Sequence, residues 1–292
     1  MYRYLFIVNP VAGGGRAREL EEPIRSYMEA RGADFSLIYT RESGQASSLV
    51  LDGAGDFDVF VAVGGDGTIK EVAEGVHKLG AILSIIPMGT GNDLAKALDY
   101  PGDLAGNLDR ILRGQLGRLD VNSVNGQYFF NIASIGFDSQ LIVNYGRLLE
   151  RRGRSLGRPG YFLALAYTFF NFRPRYLELD LDGEGFRGRT TLLALGNGSY
   201  YGGYFKVLPE SRLDDGYIHV CLVRWLPRIL IFLAWPFLLL GRHGKFKRLV
   251  NFHRVKSLEV RSQEGFYLNL DGELLDKTRS ADFRLEGSIR LI

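Results

Sequence analysis

The sequence contains one cysteine, Cys221, which excludes both an intrachain disulfide framework and a cysteine-built zinc cluster. A lone thiol of this kind is expected to be a small buried hydrophobe in a reducing compartment. The N-terminus lacks the apolar core and small-residue cleavage site of a signal peptide, because its first apolar run stops at Pro10. No spanning segment is expected either. The greasiest stretch, 225–240, carries Arg228, is broken by Pro227 and Pro236, and falls short of the roughly 20 residues a membrane helix needs. Neither sign of charge is in large excess: a formal net charge of +3 over 292 residues argues neither for a nucleic-acid binder nor for an acidic partner, and no nucleic-acid partner is expected. Internal repeats and low-complexity tracts are absent as well.

What is present is an ordinary globular composition, 46% hydrophobic and 24% charged, on a chain long enough for two cores. The apolar runs 4–8, 59–63 and 81–86 read as strands buried on both faces, each followed by a glycine-rich turn. Helical spacing follows over 16–31, 69–77 and 94–98, and Asp103 is placed to cap a further helix running to Arg113. This is the pattern of a three-layer α/β domain. After Arg118 the texture turns to short strands, with Asn125-Gly126 and Asp182-Gly183 as hairpin turns and helical stretches near 160–172 and within 225–240. A first domain is therefore expected over 1–118, completed by residues 279–292. A β-rich, mostly antiparallel domain is expected over 119–278.

The sharpest chemical signal is Val63-Gly64-Gly65-Asp66-Gly67-Thr68, a strand end running through glycines into a helix. Glycines let backbone N–H groups approach a polyphosphate, and the helix N-terminus favours its negative charge. Asp66 among phosphates implies Mg²⁺, since the carboxylate would otherwise repel the nucleotide. The turn Gly89-Thr90-Gly91-Asn92-Asp93 and the segment Asn9-Pro10-Val11-Ala12-Gly13 occupy equivalent strand ends, so the three should meet one phosphate-bearing ligand. Neither Gly-x-x-x-x-Gly-Lys-Ser/Thr nor a complete Gly-x-Gly-x-x-Gly is present, so this is another phosphate-binding design.

At these residues the chain resembles the diacylglycerol kinase catalytic family, which includes bacterial lipid kinases and, more distantly, sphingosine and ceramide kinases. The likeness continues through Asn197-Gly198, Pro209, Asp214-Asp215-Gly216 and Asp271-Gly272-Glu273. It implies ATP between the domains, bound by Asn9, Pro10, Gly13, Thr40, Gly64, Gly65, Asp66, Gly67, Thr68, Gly89, Thr90, Gly91, Asn92 and Asp93. It further implies Glu273 as general base, Asp66 and Asp120 as the acids organising catalytic Mg²⁺, and a structural Mg²⁺ at Asp215 with the carbonyls of Arg212 and Tyr217. It implies a β-sandwich-like, lipid-binding second domain, and a lipid alcohol, diacylglycerol first, as the acceptor. The chain departs from the family pattern at Lys70, where asparagine is common. Taken alone, Asp214-Asp215-Gly216 and Asp271-Gly272 read as turns.

Arg147, Arg151, Arg152, Arg154 and Arg158 precede the apolar run 161–172, and Arg242, His243, Lys245, Lys247 and Arg248 follow 225–240. That juxtaposition suits peripheral docking of a cytoplasmic protein on an anionic membrane, while both stretches also read as core helices beside solvated arginines. The competing functions are an NAD kinase, which shares a Gly-Gly-Asp-Gly turn, and a nucleotide- or lipid-binding protein without turnover. An exposed strand of the second domain offers a route to a homodimer, though no residue requires one.

Overall fold

The runs of β-branched and aromatic residues at the N-terminus cannot shed their apolar side chains on either face into water, so they form the middle of a covered parallel sheet. The computed structural model describes residues 2–152, 157–201 and 205–292. They divide into two units: residues 1–121, 213–216 and 286–292, and residues 122–212 and 217–285.

In the first unit, β1 (Arg3–Val8), β2 (Asp34–Tyr39), β3 (Val59–Gly64) and β4 (Ile82–Pro87) lie parallel in the order β2-β1-β3-β4. Around them run α1 (Glu21–Glu29), α2 (Gln45–Asp52), α3 (Asp66–Leu79), α4 (Asp93–Ala97) and α5 (Leu104–Arg113). The expected single helix over 16–31 is two pieces, a 3-10 segment Ala12–Leu20 and then α1. Gly13, Gly14 and Gly15 all take positive φ, which an α-helix cannot hold. Asp103 caps α5, its carboxylate accepting from the Gly106 N–H at 2.8 Å, and Gly114 ends the helix at φ 62. The core of this unit is Phe6, Val8, Ile24, Met28, Val61, Val63, Leu108 and their neighbours.

The second unit is built from β5 (Gly117–Val124, shared with the first), β6 (Gln127–Phe129), β7 (Ile132–Gly136), α6 (Phe137–Arg152), α7 (Gly157–Asn171), β8 (Arg175–Leu181) and β9 (Glu184–Gly196). There follow β10 (Tyr200–Tyr201), β11 (Phe205–Lys206), β12 (Ile218–Arg224), α8 (Arg228–Leu239), β13 (Val250–Val255), β14 (Ser257–Leu270) and β15 (Glu273–Leu291). Strands β9 and β14 are long enough to pair with β8 at one end and with β7 at the other, so the antiparallel sheet folds back on itself. Inside it lie Phe129, Leu179, Leu195, Val220, Leu258, Phe266 and Phe283. The hairpin turns behave as their dipeptides dictate: Asn125 and Gly126, like Asp182 and Gly183, both have positive φ. Helix α6 carries no strong sequence signal and was not anticipated. Cys221 is buried, and burial pushes its thiol up to about 12, leaving it an inert hydrophobe.

The division between units does not fall at 118, because β5 runs through that point without interruption. It follows Val121, and residues 213–216 return to the first unit because Asp120 holds them there. The Asp120 N–H donates to the Leu213 carbonyl, and its Oδ2 accepts from the Gly216 N–H, both at 2.7 Å. The tail joins the first unit late. Through Leu285 it pairs with the start of β14, and only Arg290 and Leu291 lie parallel to Ile82 and Leu83 of β4.

Candidate active site

The three glycine-rich turns of the first unit sit at the carboxyl ends of β1, β3 and β4 and are wired to one another. Asn9 donates from Nδ2 to Thr68 Oγ1 at 3.0 Å, while its own Oδ1 accepts from the Val11 N–H. Pro10 follows in the same turn, and Thr40, buried at the end of β2, donates its N–H to the Val8 carbonyl at 2.9 Å. Asp66 opens α3, and its two carboxylate oxygens accept from the N–H groups of Asn92 and Asp93 at 2.9 and 2.8 Å. The third turn is closed by Asn92, which takes a left-handed φ of 51 and accepts the Gly89 N–H on its side chain at 2.7 Å. Thr90 projects at the exposed tip of this turn.

Two of the glycines are required by backbone approach. A Cβ on Gly64 would lie 2.6 Å from Thr68, and one on Gly89 would lie 2.8 Å from the Cα of Gly65. Gly89→Ala is expected to cost the first unit about 1–3 kcal/mol, because the methyl meets backbone and cannot be evaded by a rotamer change. A lowered urea midpoint checks this, and an unchanged one would mean that the turns are not in contact. Gly67 has open space beside it, as a surface facing a ligand would, and Gly91 lies against the Asp66 carboxylate.

The acids differ in what they already do. Asp66 spends part of its acceptor capacity on two N–H groups, yet a carboxylate offers about four lone-pair sites, so it can still serve a cation. Asp120 is buried, at 4% exposure, and clamps the Asp214-Asp215-Gly216 turn through Gly216. Among the described residues no cluster of three or more His, Cys, Asp or Glu could hold a metal unaided. That donor set fits Mg²⁺ in its usual phosphate-assisted form, one or two carboxylates with the remaining ligands from substrate phosphates and water. Asp215 lies in the first unit, whereas Arg212 and Tyr217 belong to the second, where Arg254 and Lys256 lie over the Tyr217 ring at 5.3 and 5.8 Å. Lys70 is the fifth residue of α3.

Glu273 begins β15 in the second unit and is exposed, directly across from Leu270 in the hairpin with β14. The turn between them, Asp271-Gly272, has φ of 51 and 94. The sequence reading missed what Asp271 does. Its carboxylate accepts from three successive N–H groups, those of Phe130, Asn131 and Ile132, at 2.9, 3.0 and 3.0 Å. The Asn197-Gly198 landmark is likewise structural. Asn197 is fully buried and accepts from Asn122 Nδ2 at 2.8 Å, and a Cβ on Gly198 would overlap the Asn131 side chain at 1.6 Å. Only the adjacency of an Asp-Gly turn to an alternating strand hinted at the first, and nothing local at the second.

The second unit also contains an apolar cavity of about 410 Å³ beneath α8, walled by Leu192, Leu230, Leu233, Phe237, Phe246 and Leu249 among others. The two apolar stretches are neither wholly core nor wholly surface. Thr168 and Ala164 of α7 are buried while Phe162, Tyr167 and Phe170 are exposed, and Ile229, Leu233 and Leu240 are exposed around α8. No helix is long and apolar enough to cross a membrane among the described residues. Arg154, one of the basic residues before α7, lies outside the described residues, as do Gly202 and Gly203.

Comparison with known proteins places this geometry. Residues 3–124 match the diacylglycerol kinase catalytic domain, and residues 132–286 match a C-terminal NAD kinase beta sandwich-like domain. A diacylglycerol kinase of Bacillus subtilis (strain 168) is 30% identical over 277 residues, covering 94% of this chain and 90% of that protein. One from Staphylococcus aureus (strain bovine RF122 / ET3-1) is 30% identical over 98% of this chain and 91% of its own length. A solved structure from Bacillus anthracis str. Sterne, of a candidate diacylglycerol kinase, superposes with a TM-score of 0.80 at 26% identity, covering 100% of this chain and 95% of that one. With both halves matched by family models and full-length relatives at 30% identity, the chain belongs to the bacterial-type diacylglycerol kinase family, whose members are kinases with an alcohol acceptor.

Proposed function

We propose that the chain transfers the γ-phosphate of ATP to a lipid hydroxyl, diacylglycerol being the leading acceptor and phosphatidic acid its product. The observation that carries the reading is the coupling of three phosphate-type turns through Asn9 and Asp66 at adjacent strand ends. The apolar cavity beneath α8 supports an acceptor with hydrocarbon chains, since a dry pocket of that size favours an apolar guest.

In this reading the backbone N–H groups of the glycine turns bind and orient the nucleotide's phosphates, and Thr68 and Asn9 fix the spacing between two of those turns. Glu273 takes the proton of the acceptor hydroxyl as its oxygen bonds to the γ-phosphorus, while the bond to the bridging oxygen breaks and ADP leaves. Asp66 and Asp120 would hold Mg²⁺, which when bound neutralises the charge building on the phosphoryl oxygens. Asp66 contributes twice, because it also positions Asn92 and Asp93. The exposed apolar residues of α7 and α8 and the basic residues beside them would bring the enzyme to the membrane that holds its acceptor.

Label from γ-labelled ATP should move into a chloroform extract of micelles containing short-chain diacylglycerol, and Asp66→Asn should lower that rate by at least about 100-fold, a few kcal/mol of charge stabilisation. Label transferred instead to NAD would reassign the acceptor. Nucleotide binding with no transfer to any acceptor would overturn the kinase reading for this chain.

A further inference from the structure

A concave site of different chemistry lies wholly within the second unit. It encloses about 650 Å³ between the end of α7, the start of β8 and the entry to α8. Arg173, Arg175 and Arg189 line it together with Tyr176 and Trp225, and the one carboxylate in its wall is Glu264. Glu264 is already spent on Arg175, with Oε2 3.0 Å from Nη1. Among the described residues Arg173 and Arg189 have no acidic partner, and both are exposed.

The positions of these groups are set by backbone and do not depend on flexible side-chain contacts. Tyr176 pairs directly with Arg189 across β8 and β9, and the Trp225 N–H donates to the Arg189 carbonyl at 2.8 Å. Leu226, the next residue, donates its N–H to Thr191 Oγ1 at 3.0 Å. The backbone that carries Arg189, Tyr176 and Trp225 is therefore fixed on one rim of the pocket.

That rim has large apolar side chains on both sides. Tyr167 and Phe170, 58% and 66% exposed, end α7 just before Arg173, and Ile229, 64% exposed, starts α8 just after Trp225. Trp225 and Tyr176 are themselves about half exposed, at 51% and 48%. A cationic pocket for a soluble anion needs no apolar surroundings. Guanidiniums beside amphipathic rings, with exposed apolar residues on the neighbouring ends of α7 and α8, suit a phospholipid, which carries a phosphate next to hydrocarbon.

We propose that this pocket binds the phosphate of an anionic phospholipid headgroup and so docks the second unit on the membrane, apart from the site that handles the acceptor hydroxyl. A phosphomonoester headgroup, with charge approaching −2 near neutral pH, is the better ligand than a phosphodiester. If the acceptor is diacylglycerol, as proposed above, the product itself is such a lipid, and accumulating product retains the enzyme on the surface where it formed. The docking site rests on the pocket; only this last consequence rests on the kinase reading.

The test is sedimentation of the full chain, without ATP, with phosphatidylcholine vesicles containing phosphatidic acid, phosphatidylglycerol or neither. At roughly 1 kcal/mol per basic residue near such a surface, R173Q/R189Q is expected to bind phosphatidic-acid vesicles about 30-fold less well. The same variant should keep wild-type turnover on detergent-dispersed short-chain diacylglycerol and its thermal midpoint, since both arginines are exposed. Undiminished vesicle binding by the folded double variant would overturn the proposal. Binding of inorganic phosphate that the substitutions abolish, with no preference of the wild type for phosphatidic-acid vesicles over phosphatidylcholine alone, would assign the pocket to free phosphate and overturn it equally. Absence of phosphate transfer by the wild type to any acceptor, with its vesicle binding intact and lost in the double variant, would strike the kinase reading alone.

Discussion

Glu273→Gln is expected to lower kcat by about 10²- to 10⁴-fold while leaving the melting temperature and the KM for ATP where they were. The amide keeps the size of the side chain and removes only its capacity to take a proton, a capacity needed as the acceptor oxygen attacks and not before. Glu273 is exposed at the start of β15, so no packing is lost. Its backbone is held by pairing with Leu270 and by a turn whose two residues have positive φ, so the hairpin geometry does not depend on the charge. Steady-state kinetics on micellar diacylglycerol checks this. A variant with wild-type kcat would remove Glu273 from the reaction and leave the hairpin as scaffold.

Two residues earlier, Asp271→Ala should do the reverse, costing about 3 kcal/mol or more of folding free energy in the second unit. Three buried N–H groups lose their acceptor together: Phe130, Asn131 and Ile132 are 1%, 7% and 0% exposed. Each orphaned donor carries a desolvation penalty of about 1–3 kcal/mol, and water entering the space left by the carboxylate recovers part of the sum. For a domain of this size the loss corresponds to a thermal midpoint lower by about 6–12 °C, measurable by circular dichroism. Asp271→Asn, which keeps one carbonyl oxygen, should fall between. An alanine variant that melts with wild type would mean the three hydrogen bonds are replaceable. The neighbouring pair therefore separates chemistry from scaffold within one turn: the loss in turnover belongs to Glu273, and the primary loss in stability to Asp271.

Much of the first unit was legible because its signals are local. A run such as Val59 to Val63, apolar at every position, satisfies only a strand covered on both sides, and a glycine turn at its end marks the ligand edge. Asp103 and Gly114 announce the ends of α5 by the capping each performs. Helix α6 was not legible, since Asp138, Asn144 and Gly146 interrupt its apolar stripe and a basic cluster follows. The long strands β9 and β14 read as ordinary strands. Their change of partner halfway, which closes the sheet, has no local sequence signature.

The candidate site divides the same way. Glycines, acids and hydroxyls in order along the chain carry the expectation that phosphates and a metal are handled, because glycine turns at the carboxyl ends of parallel strands suit phosphate binding. The sequence determined as well that the chain has two kinds of sheet, through apolar runs in one half and alternation with turn dipeptides in the other. Only the tertiary structure decided that Asp66 grips the turn after β4, that Asp120 draws residues 213–216 into the first unit, and that Asp271 gathers three N–H groups from a loop 140 residues away. It alone brought Arg173, Arg189 and Trp225 to one rim. The reason is physical: a residue's conformational preference acts within a few neighbours and can be read from the chain, whereas a hydrogen-bond partner is chosen after collapse, by whichever buried donor would otherwise go unsatisfied.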